Sequence, residues 1–173
     1  RRAAMGLAVL AVTAVAATLA YGTYRVAETE ARMRSAPKLR VGIIQTSMDS
    51  FAKRDDPFEG LHRHIDQSLE LERTAHPGLL VWPESAYSFF LPESVTNVRS
   101  RVTGPVRTPV LFGGLGRRRV DGQDRHFNTA YITDANGDLR GSYDKTYLLA
   151  FGEYIPFGQT FPSLYDVSPQ SGR

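Results

Sequence analysis

The sequence predicts a layered α/β domain with a mixed sheet, preceded by one apolar helix. Two observations lead there. From Ala3 to Tyr24 no residue is charged, and beyond Leu39 short β-branched runs alternate with a helical period before closing in a hairpin pattern. Composition permits a packed core: 42% hydrophobic and 10% aromatic residues over 173 positions make one domain, or a membrane segment plus most of one.

The uncharged run "AAMGLAVLAVTAVAATLAYGTY" holds 22 residues. As a helix it would span about 33 Å at roughly 1.5 Å per residue, enough for a bilayer core. A transmembrane helix over residues 1–24 is therefore the leading reading. Arg1-Arg2 and the "AVA" of Ala14–Ala16 also suit a signal peptide, and a buried soluble helix is the least favoured alternative. The first residue is Arg and Met5 lies inside the run, so the natural start is expected upstream. Residues 25–38 read as a polar connector ended by Pro37. Arg25, Arg32, Arg34, Lys38 and Arg40 outnumber Arg1 and Arg2, which by charge count alone would place the following domain on the cytoplasmic side.

Beyond the connector, "LRVGIIQT" (Leu39–Thr46) suits a buried strand. Asp56-Pro57-Phe58-Glu59 combines a capping Asp, a first-turn Pro and an early Glu, so a helix should begin there. Leu61, Ile65 and Leu69 recur every four residues, with Phe58 and Ser68 near the same side. This predicts an amphipathic helix to about Ala75 that packs on a sheet. "PGLLVWPES" (Pro77–Ser85) is the next strand, limited by Pro83. A weaker helix is expected over Glu93–Val102, and a third strand over Thr108–Gly114. "FNTAYITDANGDLRGSYDK" reads as a hairpin turning at "DANGD".

Several function classes fall away. Without Arg1 and Arg2 the chain has 19 basic against 18 acidic side chains, so the charge does not indicate a nucleic-acid surface. There is no cysteine, which excludes disulfides, zinc–thiolate sites and a cysteine nucleophile within these residues. No residue pattern calls for a cofactor or a metal. His62 and His64 would point to different helix faces, while His76 and His126 stand alone. "FGGLGRR" lacks the Lys-Ser/Thr ending of a phosphate loop. Arg117-Arg118-Arg119 reads as a solvated turn, with contact to lipid headgroups as the alternative.

Three charged residues carry the chemistry. Glu84 follows Trp82-Pro83 at the end of a buried-looking strand, where α/β sheets keep their sites. Walls of Trp82, Phe89 and Phe90 would raise its pKa and make it a better base. The alternative is a helix cap or an edge salt bridge. Lys145 ends the hairpin and enters the apolar loop "YDKTYLLAFGEY"; there it could hold an oxyanion, pair with Glu153, or simply stand solvated.

In this order "VGIIQT", "VWPES" and "YDKTYLLAFGEYIPFG" resemble the nitrilase (carbon–nitrogen hydrolase) superfamily. With the hydrophobic span ahead of them, they look most like its apolipoprotein N-acyltransferase branch of bacterial membranes. The resemblance covers Leu39 to Arg173. It implies an αββα sandwich, of which residues 39–173 would be the N-terminal part, and a Glu-Lys-Cys triad. Glu84 matches the general base, Lys145 the lysine that stabilises the tetrahedral intermediate, and Glu153 a supporting glutamate. The nucleophilic cysteine would lie beyond this chain, which alone should be inactive. One departure is Ala150, where the branch more often has proline before Phe-Gly-Glu.

The implied activity is transfer of a fatty acyl chain from a phospholipid to the N-terminal amine of a diacylglyceryl-modified apolipoprotein, through a thioester. It also implies a bacterial inner membrane with the catalytic domain facing the periplasm, against the local charge count. Two rivals stand beside it. One is a nitrilase-type amidase with a cleaved signal peptide; the other is a non-catalytic binding module of the same fold.

Overall fold

The computed structural model describes residues 1–48, 56–158 and 160–166. The chain forms two compact units, Arg1–Lys38 and Leu39–Arg173.

The first unit is one helix, α1 (Arg2–Ser35), whose apolar part has a mean hydropathy of 2.1. It is long and apolar enough to cross a membrane. Residues 25–35, expected as a connector, continue this helix. Arg25, Glu28 and Arg32 pair along one face, and Arg34 reaches Glu30 at 3.3 Å, so spacings of three and four residues keep the polar stretch helical. Ala36 turns extended (φ −70°, ψ 145°), the conformation demanded of a residue before proline.

The second unit is built on a six-stranded mixed sheet of β1 (Val41–Ile43), β2 (Leu79–Val81), β3 (Tyr87–Pro92), β4 (Val110–Val120), β5 (Gln123–Thr133) and β6 (Leu139–Asp144). The order is β1-β2-β4-β5-β6. β1, β2 and β4 run parallel, while β5 and β6 continue antiparallel. β3 also pairs parallel with β4, further along the same edge that β2 uses. The mixed sheet expected from the sequence is present.

Helix α2 (Pro57–Ala75) starts where the capping pattern places it: the Asp56 carboxylate accepts from the N–H groups of Phe58 and Glu59. It ends with His76 in the left-handed region (φ 47°). Its apolar face, Leu61 with Ile65 and Leu69, meets Leu80, Trp82, Val110 and Phe112 from the sheet in the main core. Ser68 and His64 are buried on this face. The Trp82 indole N–H donates to Ser68 Oγ at 2.9 Å, and Ser68 donates onward to the His64 carbonyl, so the indole N–H and the Ser68 hydroxyl are satisfied inside the core.

Two expectations need correction. The segment after Glu84 forms strand β3, and only a short π-helical turn (Arg99–Thr103) stands where a helix over Glu93–Val102 was expected. β4 runs on to Val120, so Arg117–Arg119 lie on a strand and not in a turn. The chain reverses at Asp121-Gly122, both at positive φ (52° and 78°), as a tight two-residue hairpin requires.

The two faces of this sheet differ. One is covered by α2. On the other, Val41, Ile43, Ile132 and Tyr143 are exposed, and no described element of this unit covers them.

Candidate active site

Glu84 owes its position to three constraints. β2 is held against β4 as far as Trp82, whose N–H donates to the Leu111 carbonyl at 2.8 Å. The Trp82 ring is drawn into the core, and Pro83 has no N–H to donate, although its carbonyl still accepts from the Gly113 N–H at 3.4 Å. The chain then turns, with Ser85 at φ 57°, directly over Gly113 of β4. A Cβ on Gly113 would stand 2.8 Å from Glu84 Cα and 2.9 Å from Ser85 N, so only glycine lets the turn sit this close. Glu84 therefore projects at the carboxyl ends of the parallel strands, the usual location of sites in such sheets.

Lys145 is placed by strand alternation. Its N–H continues the β5–β6 ladder to the Asn128 carbonyl at 2.8 Å. The preceding Asp144 points to the opposite face, where it pairs with Arg118 and accepts from Thr129 at 2.7 Å. Lys145 thus falls on the Glu84 face. Its ammonium lies 2.7 Å from Glu153 Oε1 and 3.5 Å from Glu84 Oε1. Glu153 comes from the following turn, where Phe151 adopts φ 63°, and its other oxygen accepts from the Leu149 N–H at 2.8 Å. The structure brings all three sequence-predicted residues together. It adds Asn128, whose side-chain amide donates to Glu84 Oε1. Alternation around Ala130 could have placed Asn128 on this face, but an amide in a strand announces no role by itself.

The electrostatics are those of a charged triplet. The Glu153 hydrogen bond holds the Lys145 pKa above its ordinary value, with partial burial opposing and Glu84 reinforcing. Glu153 is held below its ordinary value, first by Lys145 and then by the Leu149 N–H. Lys145 is therefore an ammonium at neutral pH, suited to holding negative charge and unsuited to acting as a base. Beside the triplet lies a hollow of about 350 Å³, walled by Val81, Leu111, Ala130 and Tyr143 together with Glu84 and Lys145.

The aromatic walls expected around Glu84 are not there. Trp82 turns into the core, Phe89 packs on Phe58 and Tyr87, and Phe90 stacks on His126 at 4.2 Å. Side-chain exposure is 61% for Glu84 and 35% for Lys145, so the site is open to solvent. The loop does not seal it either: Tyr147, Leu149 and Phe151 are exposed.

The described residues form a mixed α/β sheet with a Glu–Lys–Glu cluster at the carboxyl edge of its parallel strands. The chain is similar over most of its length to apolipoprotein N-acyltransferases. That of Rhizobium rhizogenes is 31% identical over 166 residues, covering 86% of this chain and 30% of that protein. That of Agrobacterium fabrum is 34% identical over 162 residues, covering 88% and 30%. The chain spans about 30% of the length of the curated relatives it matches. No protein-family model matches. Among solved structures, an amidase from Nesterenkonia sp. is 20% identical, with a TM-score of 0.48 over 65% of this chain and 44% of that one. A nitrilase-superfamily amidase variant of Nesterenkonia AN1 is 21% identical, with a TM-score of 0.48 over 67% and 47%.

Proposed function

We propose that this chain supplies part of the catalytic apparatus of a membrane-bound N-acyltransferase, which moves a fatty acyl chain from a phospholipid to the N-terminal amine of an apolipoprotein. The observation that carries the reading is the Lys145 ammonium held between Glu84 and Glu153 beside an apolar hollow. The similarity to apolipoprotein N-acyltransferases supports the choice of reaction. In this reading the cell is bacterial, the membrane is the inner one, and the site faces the periplasm.

The nucleophile is a cysteine thiol from outside these residues, which contain none. Glu84 takes the thiol proton as sulfur attacks the ester carbonyl of the donor. Negative charge develops on the carbonyl oxygen, and Lys145 holds it. The carbon–oxygen ester bond then breaks, Glu84 returns the proton to the departing alcohol, and a thioester remains. The amine of the acceptor attacks that thioester next and gives its proton to Glu84. The carbon–sulfur bond then breaks, and the departing sulfur takes that proton back from Glu84, which restores both the thiol and the carboxylate. Glu153 keeps Lys145 charged and aimed throughout. The bare sheet face is where the second layer of an αββα sandwich would pack, and such a layer would also close the open side of the site.

The test is acyl transfer by the full-length protein in membranes. Glu84→Gln should lower kcat by about 10²–10⁴-fold, and Lys145→Met by about 10²–10³-fold. The residues 1–173 alone should transfer nothing. Wild-type turnover in either variant would overturn the assignment.

A further inference from the structure

The arginine run on β4 is divided by the strand. Successive side chains point to opposite faces, so Arg118 lies with Gly116 on the covered face, whereas Arg117 and Arg119 lie with Gly113 on the Glu84 face. Arg118 is engaged there: it pairs with Asp144, reaches Ser142 Oγ and sits 5.3 Å over the Phe127 ring. Arg119 donates to the Gly122 carbonyl and stands across from Asp124. Arg117 is exposed, and among the described residues its guanidinium has no hydrogen bond or ion pair. Across from it stands His126, fixed by the stack with Phe90, and the next residue along β5 on that face is Asn128 of the site. Two residues along a strand span about 7 Å, within reach of an extended arginine.

The site needs such a cation. By formal charge, Glu84 and Glu153 outnumber Lys145, so an anionic group brought to the hollow meets net repulsion. We propose that Arg117 binds the phosphate of the glycerophospholipid acyl donor, which places the donor's ester over Lys145 while its chain enters the hollow. This rests on the acyl-transfer reading above. A guanidinium suits the task because its planar fork can give two hydrogen bonds to one phosphate.

The test separates binding from turnover, using the full-length protein. Equilibrium binding of dihexanoylglycerophosphate, a short-chain phospholipid soluble as monomers, should weaken about tenfold in Arg117→Gln. Arg125→Gln, on the covered face, should bind as wild type does. Dihexanoylglycerol, which keeps both esters and lacks the phosphate, should bind Arg117→Gln and wild type alike. Equal binding of dihexanoylglycerophosphate by Arg117→Gln and wild type, or an equal loss with dihexanoylglycerol, would overturn the inference. So would inorganic phosphate binding as tightly as the short-chain lipid, since that marks a free-anion site. Acyl transfer is measured in parallel: wild type that binds the lipid through Arg117 but transfers no acyl chain would refute the reaction and leave the binding role standing.

Discussion

Lys145 and Glu153 hold one another in the charged form, and their pKa directions set a testable pH window. Glu153 is depressed in the folded chain, so its contribution is complete above the ordinary carboxylate value of 4.5 and disappears as pH falls through its lowered one. Lys145 is raised, so its contribution is complete below 10.5 and disappears only as pH rises past its elevated value. The pair should therefore persist across the neutral range. A carboxyl-resolved NMR titration should give Glu153 a midpoint below 4.5, and Lys145→Met should move it upward. An unchanged midpoint in the variant would mean that the contact does not govern Glu153. The stabilising effect is small, because both side chains are partly open to water.

At the level of elements, the site depends on how closely the β2–β3 turn approaches β4. Gly113→Ala would set a methyl group against the Glu84 and Ser85 backbone. Backbone cannot yield as a flexible side chain does, so the turn must lift. This should cost about 1–3 kcal/mol in urea denaturation. Displacing Glu84 should also lower kcat by about a hundredfold. Full activity in Gly113→Ala would show that Glu84 is positioned some other way. The elements differ in how openly the sequence declares them. α2 was legible because Asp56, Pro57 and the Leu61–Ile65–Leu69 period agree with one another. β3 was missed because "YSFFLP" ends in a proline and has no clean alternation; pairing with β4 makes it a strand. The β4–β5 turn could have been read from Asp121-Gly122, but the three arginines before it looked like surface loop.

At the scale of the whole molecule, the bare sheet face is the feature to explain. Ile43 is 77% exposed on it, Val41, Ile132 and Tyr143 are exposed on the same face, and Val81 and Leu111 lie in the row between Ile43 and Ile132. Contiguous apolar surface of this kind marks a place that something covers. In the full-length protein, Ile43→Asp should therefore cost about 3 kcal/mol or more, as a charge buried without a partner does. Chemical denaturation measures it; a change within about 0.5 kcal/mol would mean that the face stays in water. The same cover would restrict solvent at Glu84, so the variant should also lose activity.

The apolar helix, the capped amphipathic helix and the mixed sheet were legible in the chain order, which also singled out Glu84, Lys145 and Glu153 as candidates. Each of these depends on order along the chain: hydropathy, period, turn residues and short motifs. Folding alone revealed that Asn128 joins the triplet, that Trp82, Phe89 and Phe90 turn away from Glu84, and that Arg117 and Arg118 lie on opposite faces. Those outcomes depend on register between strands distant in sequence, where a shift of one residue exchanges the faces, and no local pattern records which register long-range packing selects.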